Sequence, residues 1–162
     1  SLGFNALYRV PGNANARFDA LSRTYRYRIY FRKDPFKYGR ALFYPFKLDR
    51  DTLHDTAAVL SDYTDFTSFS KKNSQTFTNN CQIMRSCWES REDELHYVVE
   101  ANRFLRGMVR ALVGTQLKIA RAGLAAADFR AIIEAKDCSK ADFSVTGNGL
   151  YLEKITYPPY TL

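Results

Sequence analysis

Between Arg103 and Ala122 the side chains of Leu105, Met108, Val109, Leu112, Gln116 and Ile119 recur at helical spacing. On a wheel turning about 100° per residue they fall on one side, and Arg103, Arg106, Arg110 and Arg121 fall almost opposite. Gly123 follows as a C-terminal stop. A long helix with one apolar side has to lay that side on a second layer. Gly107 and Gly114 lie close to the arginine side, where another backbone or a ligand can approach closely.

The second layer is predicted by a change of period. From Arg23 to Phe31 the run R-T-Y-R-Y-R-I-Y-F alternates, with Tyr25, Tyr27 and Ile29 on one face and Arg26, Arg28 and Tyr30 on the other. Residues 81–90 and 94–101 flank the turn Arg91-Glu92-Asp93 and read as a β-hairpin, and Leu150–Tyr157 reads as a closing strand before Pro158-Pro159. Asp49 or Asp51 can cap a helix running to about Ser61 with Leu53, Ala57 and Leu60 inward, and a further helix spans Ala126–Ala135. Residues 1–16 form an irregular lead-in with a turn at Pro11-Gly12-Asn13, residues 32–47 read as a loop, and the polar stretch from Lys71 to Asn80 reads as a mobile loop. Without regular βαβ alternation, the expected fold class is α+β: a mainly antiparallel sheet with helices packed on one face.

The 162 residues suffice for one domain with its own core. No apolar run approaches the roughly 18–20 residues of a bilayer span, and no basic-then-apolar leader opens the sequence, so the expected compartment is cytoplasmic. The first residue is Ser1 rather than methionine, which points to processing or trimming rather than a natural start. Three cysteines without a C-x-x-C pair predict buried free thiols, and two histidines without clustered ligands predict no metal site. Phosphate-binding glycine loops, G-x-S-x-G and H-E-x-x-H are all missing, which leaves nucleotide-cofactor and zinc hydrolase chemistry without support.

Residues 1–50 hold 11 Lys/Arg against 3 Asp/Glu, whereas the remainder holds 13 against 14. The whole positive excess lies in the first third, interleaved with aromatic residues from Arg17 to Tyr44. Cations attract phosphates while rings stack on bases, so the pattern suits a nucleic acid; a solvated charged surface is the plain alternative.

Four segments then point further. Ala16-Arg17-Phe18-Asp19-Ala20 with Ser22-Arg23-Thr24-Tyr25-Arg26-Tyr27 resembles the A-R-F-x-A…R-x-Y-x-Y segment of the TruA-type tRNA pseudouridine synthases. Asp65 to Phe69 is similar to that family's D-F-T-S-F, and Asn102 to Gly114 to its N-x-F-x-x-x-M-V-R-x-x-V-G helix. Gly149-Leu150-Tyr151-Leu152, with Tyr157-Pro158, resembles the closing G-L-Y-L…Y-P. The resemblance runs across the chain in the right order. It implies the C-terminal half of a pseudouridine synthase catalytic fold over residues 1–162, with an N-terminal domain absent.

The activity so implied is isomerisation of uridine to pseudouridine in the tRNA anticodon stem-loop, by a homodimeric parent enzyme that needs no cofactor. Tyr25 matches the active-site tyrosine that packs against the target base, Arg110 the basic partner of the catalytic carboxylate, and Leu150 the apolar pocket residue. Arg17, Arg23, Arg26, Arg28, Lys71, Lys72, Arg103 and Arg106 are the residues expected to hold the RNA.

Two departures from the pattern stand out. Asn15 replaces a common histidine, and Val145-Thr146-Gly147 replaces a more usual P-A-x. The family's nucleophilic aspartate belongs to an R-T-D-x-G-V-H segment that these 162 residues do not contain. The expectation is therefore a chain that supplies pocket and RNA-binding groups and is inactive alone, with Arg110 open to water, paired with a substitute carboxylate, or holding an anion. A non-catalytic RNA-binding module uses the same features, and a protein–protein adaptor is the weaker rival.

Overall fold

In a computed structural model, residues 3, 6–71 and 77–159 are described. The strand expected from the alternating run is β1 (Ser22–Tyr30), and the hairpin is β3 (Ile83–Arg91) and β4 (Glu94–Ala101). Its turn places Glu92 at φ 47°, the left-handed conformation that lets a tight connection follow the twist of the strands. The closing strand is β5 (Leu150–Thr156). The loop expected over 32–47 contains a further two-residue strand, β2 (Leu42–Phe43), too short for periodicity to reveal.

The sheet runs β2-β1-β4-β3, with β5 also pairing to β1. Every pairing is antiparallel except that of β1 with β2. Along β1 the register sets Tyr25 opposite Val99, Tyr27 opposite Tyr97 and Ile29 opposite Leu95, which makes one continuous apolar face. On the other side of β1, Tyr25 faces Leu152 and Tyr27 faces Leu150.

Helices α1 (Arg50–Val59), α2 (Met108–Ala122) and α3 (Ala126–Glu134) pack together, with α1 against β3. Asp49 caps α1 by accepting hydrogen bonds from the backbone of Asp51 and Thr52. Leu53, Ala57 and Leu60 point inward as the spacing requires. Gln116 of α2 is fully buried and satisfied: its Oε1 accepts from Trp88 Nε1 at 2.9 Å, and its Nε2 donates to the Leu112 carbonyl at 3.1 Å. That bond ties helix to sheet. No helix among the described residues is long and apolar enough to cross a membrane.

Two expectations about α2 are corrected. The helix begins at Met108, not near Arg103, because Gly107 has φ 79° and interrupts the right-handed turn. Arg103 and Arg106 consequently lie in the irregular approach to the helix and form no stripe with Arg110 and Arg121. The helix is also buried on most sides, Ala111 through Leu117 without a break. The close approach anticipated at Gly114 is real: a Cβ there would lie 2.4 Å from the carbonyl oxygen of Asp142. Of the cysteines, only Cys81 is buried, its thiol pushed up to about 11 by that burial; Cys87 and Cys138 are half-buried.

Candidate active site

Where α2 begins, its first turn, the first half of β1 and the start of β5 surround a cavity of about 370 Å³. Tyr25, Arg110 and Leu150 all line it, together with Phe104, Met108 and Lys71. Three residues singled out from separate stretches of sequence thus meet at one opening. Sheet register accounts for two of them. Tyr25 and Leu150 are on the helix-facing side of neighbouring strands, one pair out of step.

Arg110 is neither bare to water nor joined to a substitute carboxylate. Its Nε donates to the carbonyl of Val145 at 2.7 Å and one terminal nitrogen donates to the carbonyl of Phe143 at 3.3 Å. A guanidinium has five N–H donors in a rigid fork, so donors remain for a ligand after these two bonds. Among the described residues no carboxylate lies within ion-pair distance of Arg110. The group is anchored by neutral oxygens and keeps its charge uncompensated. It is preset for an anion.

Tyr27 holds the same loop from the sheet side. Its hydroxyl donates to the Thr146 carbonyl at 2.6 Å, and burial pushes its ionisation up to about 12. The loop that replaces the usual P-A-x is therefore pinned at Phe143, Val145 and Thr146 before it reaches Leu150. Gly149 completes the fit, since a Cβ there would come within 2.6 Å of the Arg28 carbonyl oxygen.

Lys71 reaches the cavity across Gly107, where a Cβ would lie 3.2 Å from Lys71 Cγ. The Lys71 backbone N–H donates to the Arg106 carbonyl at 3.2 Å, which joins the two approaching segments. Lys72 lies outside the described residues, as does half of the stretch expected to be a mobile loop. Asp65, which opens the D-F-T-S-F segment, has a structural task. It accepts from Thr67 Oγ1 at 2.6 Å and from Thr67 N at 3.0 Å, and pairs with Lys136 at 2.9 Å. Those contacts, the Thr67 hydroxyl first, hold its carboxyl below the usual range.

Arg17, Arg23 and Arg103 line a neighbouring cleft, and Arg106 is exposed at the cavity itself. Arg23 is partly committed, because its guanidinium donates to the backbone carbonyls of Asn102 and Arg17. Arg26 and Arg28 are not brought to the site. They project from the opposite face of the sheet, where Arg26 pairs with Glu89 at 3.0 Å and Glu153 at 2.9 Å, and Arg28 with Glu94 at 2.8 Å. Period-two reasoning placed them on that face, but their carboxylate partners come from β3, β4 and β5 and could not be read from β1. The phosphate grip expected of Arg26 and Arg28 would therefore have to act from that face and compete with these carboxylates.

One residue at the site escaped sequence reasoning. Phe104 meets Tyr25 edge to face, ring centroids 5.1 Å apart and planes at 88°. The F of the N-x-F motif was the available signal, and with the helix expected to start at Arg103 it was assigned no role at the site.

A family model described as tRNA pseudouridine synthase matches residues 63–158, more than half of the chain. Among curated relatives, "tRNA pseudouridine synthase A" of Parabacteroides distasonis is 47% identical over 149 residues, covering 92% of this chain and 59% of the relative. The protein of the same name from Porphyromonas gingivalis is 44% identical over 151 residues, covering 92% and 60%. That from Bacteroides fragilis is 46% identical over 154 residues, covering 93% and 60%. The chain thus spans about 60% of the length of these relatives. The family match includes Phe104, Arg110 and Leu150 around the cavity, and with it the chain belongs to the tRNA pseudouridine synthase family.

Proposed function

We propose that this chain forms the substrate-facing C-terminal half of an enzyme that isomerises uridine to pseudouridine in the anticodon stem-loop of tRNA. The observation that carries the reading is the convergence of Tyr25, Arg110 and Leu150 on one cavity. In the reaction the glycosidic C–N bond breaks, the base turns within the pocket, and a C–C bond rejoins it to the same ribose. The target nucleotide leaves its stack to reach such a cavity. Tyr25 presents a ring face to the flipped base and a polar tip to solvent. Leu150 supplies an apolar wall.

The nucleophile is an aspartate carried by another part of a longer protein. Its carboxylate pairs with the free donors of Arg110, which keep it ionised and oriented. An ionised carboxylate so held forms the covalent adduct through which base and sugar part and rejoin. Lys71 and Arg106 at the cavity, with Arg17 and Arg103 in the neighbouring cleft, hold phosphates. The longer protein works in the cytoplasm as a homodimer.

The test is pseudouridine mapping in a tRNA transcript. The 162-residue chain alone is expected to produce none, and a longer protein carrying the R-T-D-x-G-V-H segment is expected to convert anticodon-stem uridines. Arg110→Met in the longer protein should abolish turnover while leaving RNA affinity within about threefold, the effect of losing a single surface contact. Conversion by the isolated chain, or turnover undiminished by Arg110→Met, overturns the proposal.

A further inference from the structure

The Tyr25–Phe104 ring pair separates two openings. Beyond it lies a cleft of about 510 Å³ lined by Arg17, Phe18, Arg23, Phe77 and Arg103. We propose that this cleft is a second nucleotide subsite, which stacks the base next to the flipped uridine on Phe18 and holds the intervening phosphate on Arg17 and Arg103. The inference rests on the RNA-substrate reading above and extends it to a second residue of the RNA.

The case begins with a ring that burial does not explain. Phe18 is 76% exposed, so it contributes little to the core. Its backbone is nevertheless tied down from several directions. Asn15 Oδ1 accepts from the N–H groups of Arg17 at 2.9 Å and Phe18 at 3.0 Å, and Asp19 Oδ2 accepts from Asn15 N at 2.7 Å. The Tyr157 hydroxyl donates to the Ala16 carbonyl at 2.8 Å, and the Arg23 guanidinium donates to the Arg17 carbonyl. Asn15, the residue that departs from the family pattern, organises this turn. The backbone that carries the ring is thus fixed, and the ring itself stands in solvent. That costs chain entropy and brings no packing in return within this chain.

The surroundings select the ligand. The guanidinium of Arg17 lies 5.4 Å from the centre of the Phe18 ring, and neither Arg17 nor Arg103 has a carboxylate within ion-pair distance among the described residues. The cations on the opposite sheet face are neutralised; these are not. Open rings beside uncompensated guanidiniums suit unpaired bases and their phosphates. Geometry supplies the adjacency, since the cleft and the pocket share Tyr25 and Phe104 as a common wall. A nucleotide turned out of a helix leaves its neighbour without a stacking partner, and a ring one wall away offers a replacement.

The probe is a short hairpin RNA with a fluorescent adenine analogue beside the target uridine, titrated with this chain. Wild type is expected to quench the analogue by stacking. Phe18→Ala should remove most of the quench and weaken binding about tenfold, within the range for loss of one base–ring stack. Phe18→Trp should retain both. A hairpin abasic at the flanking position should bind wild type about tenfold more weakly, and Phe18→Ala should weaken that RNA no further. Unaltered melting of Phe18→Ala confirms that the fold is kept. If wild type binds and Phe18→Ala matches it in quench and affinity, the subsite is wrong and the ring serves another partner, such as a protein surface. If wild type binds no hairpin at all, both the subsite and the RNA reading fall.

Discussion

Arg110 Nε donates to the Val145 carbonyl at 2.7 Å, so the basic group of the pocket also fastens the loop that leads into β5. Binding chemistry and loop position are therefore joined in one side chain. Arg110→Met should therefore destabilise the chain by about 1–3 kcal/mol, because it leaves half-buried carbonyls without donors. Urea melts of the two proteins measure this. Equal midpoints would mean that water replaces both bonds without cost.

A Cβ added at Gly114 would collide with the Asp142 carbonyl oxygen, and that segment is held in place by Asp142 N, which donates to Thr115 Oγ1 at 2.9 Å. Gly114→Ala should cost about 1–3 kcal/mol through overpacking and shift the loop that Arg110 holds. A control, Gly123→Ala, with φ 68° and open space around it, should cost roughly 1–2 kcal/mol from backbone conformation alone. Wild-type stability for Gly114→Ala would contradict the steric account.

Glu94 is buried beneath Arg28, which donates to it at 2.8 and 2.9 Å, with His96 Nε2 at 2.7 Å. Arg28 first, then His96, draws its ionisation from 4.5 to about 2. A carboxyl with a lowered folded-state value contributes stability that is complete above its unfolded value and lost as pH falls through the folded one. Stability should thus decline between about pH 4.5 and 2, by roughly 3 kcal/mol from this group. Glu94→Gln should be less stable at neutral pH and show a shallower decline. Parallel acid melts for the two proteins would count against this role.

Arg103 and Arg106 lie at the openings with no carboxylate in ion-pair distance among the described residues, whereas Arg26 and Arg28 spend their charge on carboxylates. Replacing Arg103 or Arg106 with alanine should lower the log–log salt dependence of tRNA binding by about 0.7–0.9 per contact. Arg26→Gln should leave that slope unchanged. An altered slope for Arg26→Gln with no change for Arg103→Ala would reverse the assignment of RNA-facing sides.

The residues that declared themselves in sequence did so through local rules. Asp49 caps α1 because a carboxylate one residue before a helix can reach its free N–H groups. Tyr25, Tyr27 and Ile29 share a face because side chains alternate along a strand, and Arg91-Glu92-Asp93 turns because polar residues interrupt two strand-forming runs. The resemblance carried by the four motifs, rather than those rules, implied a shared site for Tyr25, Arg110 and Leu150.

What sequence left open depended on groups distant along the chain. Whether an arginine of β1 is free or neutralised is decided by Glu89, Glu94 and Glu153, on three other strands brought alongside by sheet register. Helical periodicity ran through Gly107 because the pattern records which side chains fall inward, not the φ of 79° that ends the helix there. Phe104, left outside the helix, then turns its ring to Tyr25, and Arg110 finds the carbonyls of a loop more than thirty residues away. Alternation and capping act within a few residues and can be read in order. Charge compensation, ring contacts and the partners of buried donors exist only once the layers close.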